Sequence, residues 1–135
     1  MNTEQLTLGE LIAKLTPIVE NQKERINNNL EEADVIYDFG YFHPTQIDSW
    51  RGSYCELALN YKDYTAANLL KSSKFLKLLI NAVNDTFQGY KGGDFTMNED
   101  TPIWVANYGQ SGFTAVVDVI DNGHQIILCT AYKTY

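Results

Sequence analysis

The first apolar pattern of the chain predicts a helix near the N-terminus. Large aliphatic side chains recur three and four positions apart, the spacing of one helix face, at Leu11, Ile12, Leu15, Ile18 and Val19. Thr7, followed three residues later by Glu10, has the form of a capping box and places the helix start there. Because Pro17 interrupts the pattern, we expect a short helix ending near Leu15 or a kinked helix that restarts at Pro17. The asparagines at 27–29 favour a helix end or a loop.

A second helical pattern, the strongest in the sequence, covers residues 65–88. Its apolar positions at three-and-four spacing are Leu69, Leu70, Leu76, Leu79, Ile80, Val83 and Phe87. A helix of about 22 residues would be roughly 33 Å long at the usual rise per residue. Its apolar stripe is wider than a small sheet can cover, so we expect part of it to lie in a dimer interface.

Short apolar runs elsewhere predict strands. Residues 35–39 and 52–61 form two such runs, which we expect to pair with each other. Further strands are predicted near 94–97 and at 102–107, 113–120 and 125–133, and Asn122-Gly123 marks a hairpin between the last two. The predicted fold is therefore α+β. It is an antiparallel β-sheet with a C-terminal β-meander, packed against one short N-terminal helix and one long central helix, in a single domain over residues 1–135.

Residues 35–61 are the densest stretch in conformationally costly side chains. Gly40 permits a positive φ, Pro44 removes a backbone donor, and the large ring of Trp50 carries an N–H that needs a partner when buried. Such a connection is either a structural clamp or a ligand-facing loop. Loops rich in aromatic residues more often fold under a core than bind ligands, which favours the clamp.

Charge and composition exclude some partners. The formal net charge is −7 and the isoelectric point is near 4.6. Nucleic acids and anionic membranes require a basic surface, so we expect neither as a partner. The N-terminus has no signal-peptide pattern and no apolar run approaches the roughly 18 residues of a membrane span, so we expect a cytoplasmic protein. Cys55 and Cys129 are expected to be reduced core residues.

No pattern of catalytic or metal-binding residues is evident. The triplet 38–40 copies the kinase Asp-Phe-Gly motif without the other kinase motifs, and residues 109–112 lack the frame of a nucleophile elbow. The cysteines and histidines do not have metal-ligand spacing. His43 and His124 are expected to be exposed loop residues. We therefore expect no enzyme, no catalytic residue, no bound metal and no cofactor.

Aromatic residues are numerous, with nine Tyr, six Phe and two Trp. Several stand beside polar residues, at Trp50-Arg51, Tyr90-Lys91, Phe95-Thr96, Trp104 and Asn107-Tyr108. Aromatic faces can stack on a base, an asparagine can read its edge, and Arg or Lys can meet a phosphate, so these are the parts of a nucleotide site. The alternative is that the rings pack a small sheet domain and its oligomer contacts.

Three segments resemble a known family in their order along the chain. They are TLGELIAKL at 7–15, DSWRGSYCELALNY at 48–61 after the DFG triplet and Pro44, and TPIWVANYG at 101–109 followed by AVVDV at 115–119. Together they are similar to the phage-encoded Thoeris anti-defence sponges of the first described class. The resemblance covers most of the chain and is weakest at 1–6 and 21–34.

This resemblance implies a small α+β phage protein in the host bacterial cytoplasm, assembled as a homodimer or as a hexamer built from dimers. Sponges of this family sequester glycocyclic ADP-ribose, the messenger of the TIR-domain sensor, without degrading it, and thereby block Thoeris immunity. The ligand here would be the 1''-2' or the 1''-3' isomer of that messenger. Some members also hold cyclic oligonucleotides at separate sites.

The ligand-binding set expected here is Arg51, Tyr54, Lys91, Phe95, Trp104, Asn107 and Tyr108. Phe95 and Tyr108 would stack on the ligand, and Asn107 would read the base edge. Arg51 and Lys91 would meet the phosphates, with Arg25 or a lysine of a neighbouring subunit as further cations. Trp104 and Tyr54 would form the pocket wall. The alternative function is a small acidic phage or prophage protein that inhibits a host protein by direct contact through its acidic surface.

Overall fold

A computed structural model describes residues 4–39, 42–49, 57–60, 62–63, 69–88, 94–105 and 114–132. The helices in this part of the chain are α1 (Leu8–Asn27) and α2 (Ser72–Ala82). The strands are β1 (Asp34–Tyr37), β2 (Phe42–His43), β3 (Ile47–Ser49), β4 (Leu57–Leu59), β5 (Lys62–Asp63), β6 (Thr86–Gln88), β7 (Asp94–Thr96), β8 (Ile103–Val105), β9 (Thr114–Asp121) and β10 (Gln125–Tyr132).

The fold is α+β, as predicted, but its main sheet is mixed. Six strands lie in the order β1-β10-β9-β8-β4-β3, and β2-β5 and β6-β7 form two separate ribbons. The C-terminal meander β8-β9-β10 is antiparallel, as expected, and Gly123 has the positive φ of 90° that its hairpin turn requires. In contrast, β1 pairs with β10 and β4 pairs with β8, both in parallel. The predicted pairing between residues 35–39 and 52–61 is therefore wrong.

Helix α1 begins at the predicted capping box. The Glu10 amide donates to Thr7 Oγ1 at 3.2 Å, and the Thr7 amide donates to Glu10 Oε1 at 2.9 Å. The helix then continues through Pro17 to Asn27, so the prediction of a short helix is wrong. Pro17 lies on the exposed face, whereas Leu15 before it and Val19 after it are buried. Apolar burial on both sides offsets the cost of an internal proline, about 3 kcal/mol.

The end of α1 follows its asparagines, as expected. Asn29 has a φ of 63°, the left-handed conformation that asparagine tolerates better than most residues. The Leu30 amide donates to the Arg25 carbonyl at 2.9 Å and the Asn29 amide to the Ile26 carbonyl at 3.1 Å. These two bonds form a Schellman motif, which satisfies carbonyls at the helix end.

Helix α2 is shorter than its predicted range of 65–88, of which residues 65–68 are not described. Lys71 is extended and forms a bridge with Asp34, so the helix begins only at Ser72. Beyond Ala82 the chain leaves the helix, because the Asn84 amide donates to the Met97 carbonyl at 2.8 Å. The chain then enters β6, which pairs with β7. The predicted lengths of the two helices are thus reversed.

Both helices pack on one face of the main sheet. Their buried side chains include Leu11, Leu15, Phe75, Leu76 and Leu79, and they share one core with the inward residues of the sheet, such as Val35, Leu57, Val116, Ile126 and Leu128. The apolar stripe of α2 is therefore mostly covered within the chain. Ile80 is half exposed, so little apolar surface of this helix is left for the dimer interface expected from the sequence.

Gly9 is required by a close backbone approach at the start of α1. Its amide donates to the Glu99 carbonyl at 2.8 Å, and an added Cβ would lie 2.9 Å from Glu99 Cβ and 3.0 Å from Glu99 O. We expect Gly9→Ala to lower the free energy of unfolding by about 1–2 kcal/mol, because overpacking against backbone outweighs the better helix propensity of alanine. Urea denaturation measures this change. A gain in stability would show that the turn at Glu99 moves aside at little cost.

Candidate functional site

The described part of residues 35–61 is held as a clamp. The Tyr37 hydroxyl donates to the Asn60 carbonyl at 2.5 Å. The side-chain oxygen of Asn60 accepts from the amides of Thr45 at 2.6 Å and Gln46 at 2.8 Å. Burial raises the pKa of Tyr37 well above its ordinary value, so its hydroxyl remains a donor at neutral pH. These bonds support the clamp interpretation for this part of the stretch, while Gly40, Trp50 and Arg51 lie outside the described residues.

Rings near this clamp pack against one another. Phe39 stacks on Tyr37 with ring centroids 5.1 Å apart and lies 5.6 Å from the Phe42 ring. His43 is only 2% exposed, because β2 pairs with β5 and the chain places this position inside. The prediction of an exposed His43 is therefore wrong, whereas His124 is exposed as expected. This group of aromatic residues belongs to the core.

Most of the predicted ligand-binding residues fall outside the described part of the chain. These are Arg51, Tyr54, Lys91, Asn107 and Tyr108. Phe95 lies in β7, where it is in register with Phe87 of β6. Trp104 lies in β8 and is 3% exposed. The two described members therefore belong to different sheets, the β6-β7 ribbon and the six-stranded sheet.

Trp104 lies on the sheet face opposite the helices. Its neighbours Ile103 and Val105 belong to the main core, whereas Trp104 packs with Ala115 and Val117 in a separate cluster. Ala115 is its register partner on β9, and Ala131 packs against the same cluster. These small side chains leave room for the indole. At this burial, the Trp104 ring can only form the floor or inner wall of a binding site.

Strands β4 and β8 run parallel, with Leu57 in register with Ile103. In chain order, residues 51–54 precede β4 and residues 107–108 follow β8, and both segments lie outside the described residues.

The β6-β7 ribbon contains Phe95 and packs next to strand β3. In the chain, Lys91 belongs to the connection between β6 and β7, and β6 contacts β3. Strand β3 is also the element that precedes the connection carrying Arg51 and Tyr54. Phe95 thus belongs to a ribbon whose strand β6 lies against β3, which the sequence alone did not indicate.

A group around Cys129 was not predicted from the sequence. Burial, and then the nearby carboxylates of Asp38 and Asp118, raise the pKa of the Cys129 thiol. Asp38 also accepts from the amide of Thr130 at 2.9 Å and from its hydroxyl at 2.6 Å. A raised thiol pKa leaves little thiolate at neutral pH, which disfavours a nucleophilic role. No sequence signal could have revealed this group, because β1 and β10 are brought together only by the parallel pairing.

A second polar cluster holds the start of α2. Ser72 Oγ and the Ser73 amide donate to Glu32 Oε2 at 2.7 and 2.6 Å, and Lys71 Nζ lies 2.7 Å from Asp34 Oδ1. Lys71 itself provides no side-chain cap for the helix. Glu32, from the segment after α1, therefore takes the role that a local N-cap residue usually has.

This cap makes stability depend on pH. Partial burial would raise the pKa of Glu32, but the bonds from Ser72 and Ser73 bring it below its ordinary value of 4.5. A lowered folded-state pKa contributes stability above the unfolded pKa, and this contribution is lost as the pH falls. We expect Glu32→Gln to cost about 1 kcal/mol at pH 7, as for other helix caps. Denaturation between pH 7 and pH 3 should show the difference from wild type shrinking in acid. Glu24→Gln, on the exposed face of α1, is the control.

Within the described ranges, no three His, Cys, Asp or Glu side chains come together as metal ligands would. None of the helices described is both long and apolar enough to cross a membrane.

Comparison of this chain with protein-family models, with curated proteins and with solved structures gives no match.

Proposed function

We propose that this chain is a non-catalytic binding protein that sequesters a cyclic ADP-ribose-type signalling nucleotide. Glycocyclic ADP-ribose is the first ligand to test, in either linkage isomer. By holding the messenger without degrading it, a phage protein of this kind would keep the signal from its effector and block Thoeris immunity. The proposal rests on the resemblance of three segments to the Thoeris anti-defence sponges.

One structural observation supports treating these segments together, because they are in direct contact. The Leu8 amide at the start of the first segment donates to the Thr101 carbonyl of the third at 2.8 Å. Strand β4 of the second segment pairs with β8 of the third, and the Leu57 amide donates to the Pro102 carbonyl at 2.9 Å. Strand β9, which contains AVVDV, pairs with β8. The described parts of these segments thus belong to one unit of the fold.

A site for a diphosphate requires positively charged side chains. A diphosphate ligand approaching a protein of net charge −7 needs local cations, and the chain contains only two arginines, Arg25 and Arg51. We assign Arg51 and Lys91 to the phosphates, Phe95 and Tyr108 to stacking, and Asn107 to the base edge. Charge-assisted bonds from a guanidinium to phosphate oxygens are both stronger and more directional than neutral ones.

Assembly of several subunits around the ligand is part of this proposal. A homodimer, or a hexamer of such dimers, could supply the second half of a pocket from a neighbouring subunit. Enclosure between subunits would suit a protein that retains its ligand without transforming it. Under this proposal, each subunit presents Trp104 beneath the site as its apolar floor.

Isothermal titration calorimetry tests the proposal. Both isomers of glycocyclic ADP-ribose should be titrated beside ADP-ribose, NAD and a cyclic dinucleotide. We expect tight binding of at least one glycocyclic isomer and much weaker heats for the linear compounds. The complex is then denatured and the ligand chromatographed, and its recovery intact is the expected result. Absence of heat with both isomers would overturn the proposal, and recovery of an opened product would indicate an enzyme.

A further inference from the structure

The sheet face opposite the helices carries a row of three isoleucines. Ile36 of β1 is in register with Ile127 of β10, and Ile127 is in register with Ile120 of β9. Successive side chains of a strand point to opposite faces of the sheet. A direct chain neighbour of each isoleucine lies in, or packs against, the core between sheet and helices. All three isoleucines therefore point to the face without helices. Three adjacent strands thus contribute to one continuous apolar row.

The row becomes more exposed from β1 towards β9. Ile36 is 9% exposed, Ile127 is intermediate, and Ile120 is 50% exposed. A single exposed aliphatic residue is common on protein surfaces, whereas several adjacent ones indicate an interaction site. The exposed end of the row therefore defines a surface, which we call the isoleucine face (Ile36, Ile127 and Ile120).

Carboxylates border the isoleucine face. The next row on this face, two residues along each strand, contains Asp38, Cys129 and Asp118. Cys129 is in register with Asp118, and the Asp38 carboxylate accepts from the Thr130 amide next to Cys129. Asp38 is exposed, and Asp118 is paired with Lys14 at 3.4 Å. This border is acidic, in line with the net charge of −7 of the whole chain.

We propose that the isoleucine face binds an extended protein segment in which apolar side chains alternate with lysine or arginine on one face. Successive side chains on one face of an extended chain are separated by about 6.6 Å, which is also the spacing between the isoleucine row and the aspartate row. An apolar residue over Ile127 therefore places a cation two residues away over Cys129, between Asp38 and Asp118. This inference is independent of nucleotide binding.

The charge pattern selects this partner over a second copy of the chain. Two copies meeting through the isoleucine face would bring their acidic borders together, and opposed like charges cost free energy at an interface. A basic segment instead gains from both the apolar row and the carboxylates. Its association should accordingly weaken as salt concentration rises.

Fluorescence anisotropy with two labelled peptides tests the proposal. The first peptide has isoleucine and lysine alternating on one face with threonine between them, and the second has glutamate in place of each lysine. We expect only the lysine peptide to bind. Ile120→Lys should weaken its binding at least about tenfold, which corresponds to 1.4 kcal/mol. Asp38→Asn, which retains an acceptor for Thr130, should weaken binding severalfold.

Ile80→Lys is a matched control, because Ile80 lies on α2 and is also 50% exposed. We expect it to bind the lysine peptide as the wild type does. If Ile120→Lys fails to fold, Ile120→Thr keeps a β-branched side chain on β9 and should still weaken binding.

Equal losses for Ile120→Lys and Ile80→Lys would show a general electrostatic effect and overturn the proposal. Failure of the lysine peptide to bind would do the same. If sedimentation shows that Ile120→Lys converts a dimer to a monomer, the occupant is a second copy of the chain and the proposed partner is wrong.

Discussion

Trp104→Ala is expected to lower the free energy of unfolding by about 3–5 kcal/mol, the usual cost of removing a buried large aromatic side chain. The indole is 3% exposed and packs with Ala115 and Val117 on the face of the sheet away from the helices. Alanine neighbours cannot expand to fill the space, so the cavity remains. For a domain of this size, the melting temperature should fall by roughly 10–20 °C.

Chemical denaturation and differential scanning calorimetry measure this effect. Tyr132→Ala is the control, because Tyr132 is an aromatic residue near the end of β10 that is 70% exposed, and its loss should change stability little. Trp104→Phe separates packing from binding. If Trp104 forms the floor of a ligand site, this variant should retain most of the stability and bind the nucleotide more weakly. A small stability change in Trp104→Ala would contradict the packing seen for this ring.

Arg51→Ala is expected to weaken nucleotide binding by about tenfold to a hundredfold, because each charge-assisted bond to a phosphate contributes roughly 1.5–3 kcal/mol. The melting temperature should change little. Arg51→Lys should recover only part of the affinity, since lysine keeps the charge and loses the planar fork of donors. Affinity is measured by calorimetry and melting temperature in parallel for both variants and the wild type.

Lys23→Ala is the charge control for Arg51. Lys23 lies on the exposed face of α1 and pairs with Glu20 at 3.1 Å, so its loss should leave nucleotide affinity unchanged. A large fall in melting temperature for Arg51→Ala with unchanged affinity would assign Arg51 to the fold, paired with a carboxylate. That outcome would remove the main cation from the proposed site.

Local signals in the sequence were sufficient for the elements whose geometry depends on near neighbours. The Thr7 and Glu10 capping box, the asparagines that end α1 and the Asn122-Gly123 hairpin each act over a few residues. The alternating pattern also gave β8, β9 and β10 and their antiparallel order, because short connections leave few other arrangements.

Tertiary contacts decided what local patterns left open. Helix α1 continues through Pro17 because buried residues on both sides hold it to the sheet. Helix α2 ends at Ala82 because Asn84 and Asp85 exchange backbone bonds with Met97, and apolar Phe87 fits a strand as well as a helix. His43 is buried because β2 pairs with β5, although its neighbour Pro44 indicated a loop.

The site shows the same division. The sequence by itself determined which residue types are present: many aromatic rings, two arginines, an acidic balance and no pattern of catalytic residues. Only the tertiary structure decided that β4 and β8 run parallel and that Trp104 faces away from the helices. The physical reason is that strand periodicity specifies which face a side chain occupies, whereas the partner and direction of a strand depend on packing between distant segments.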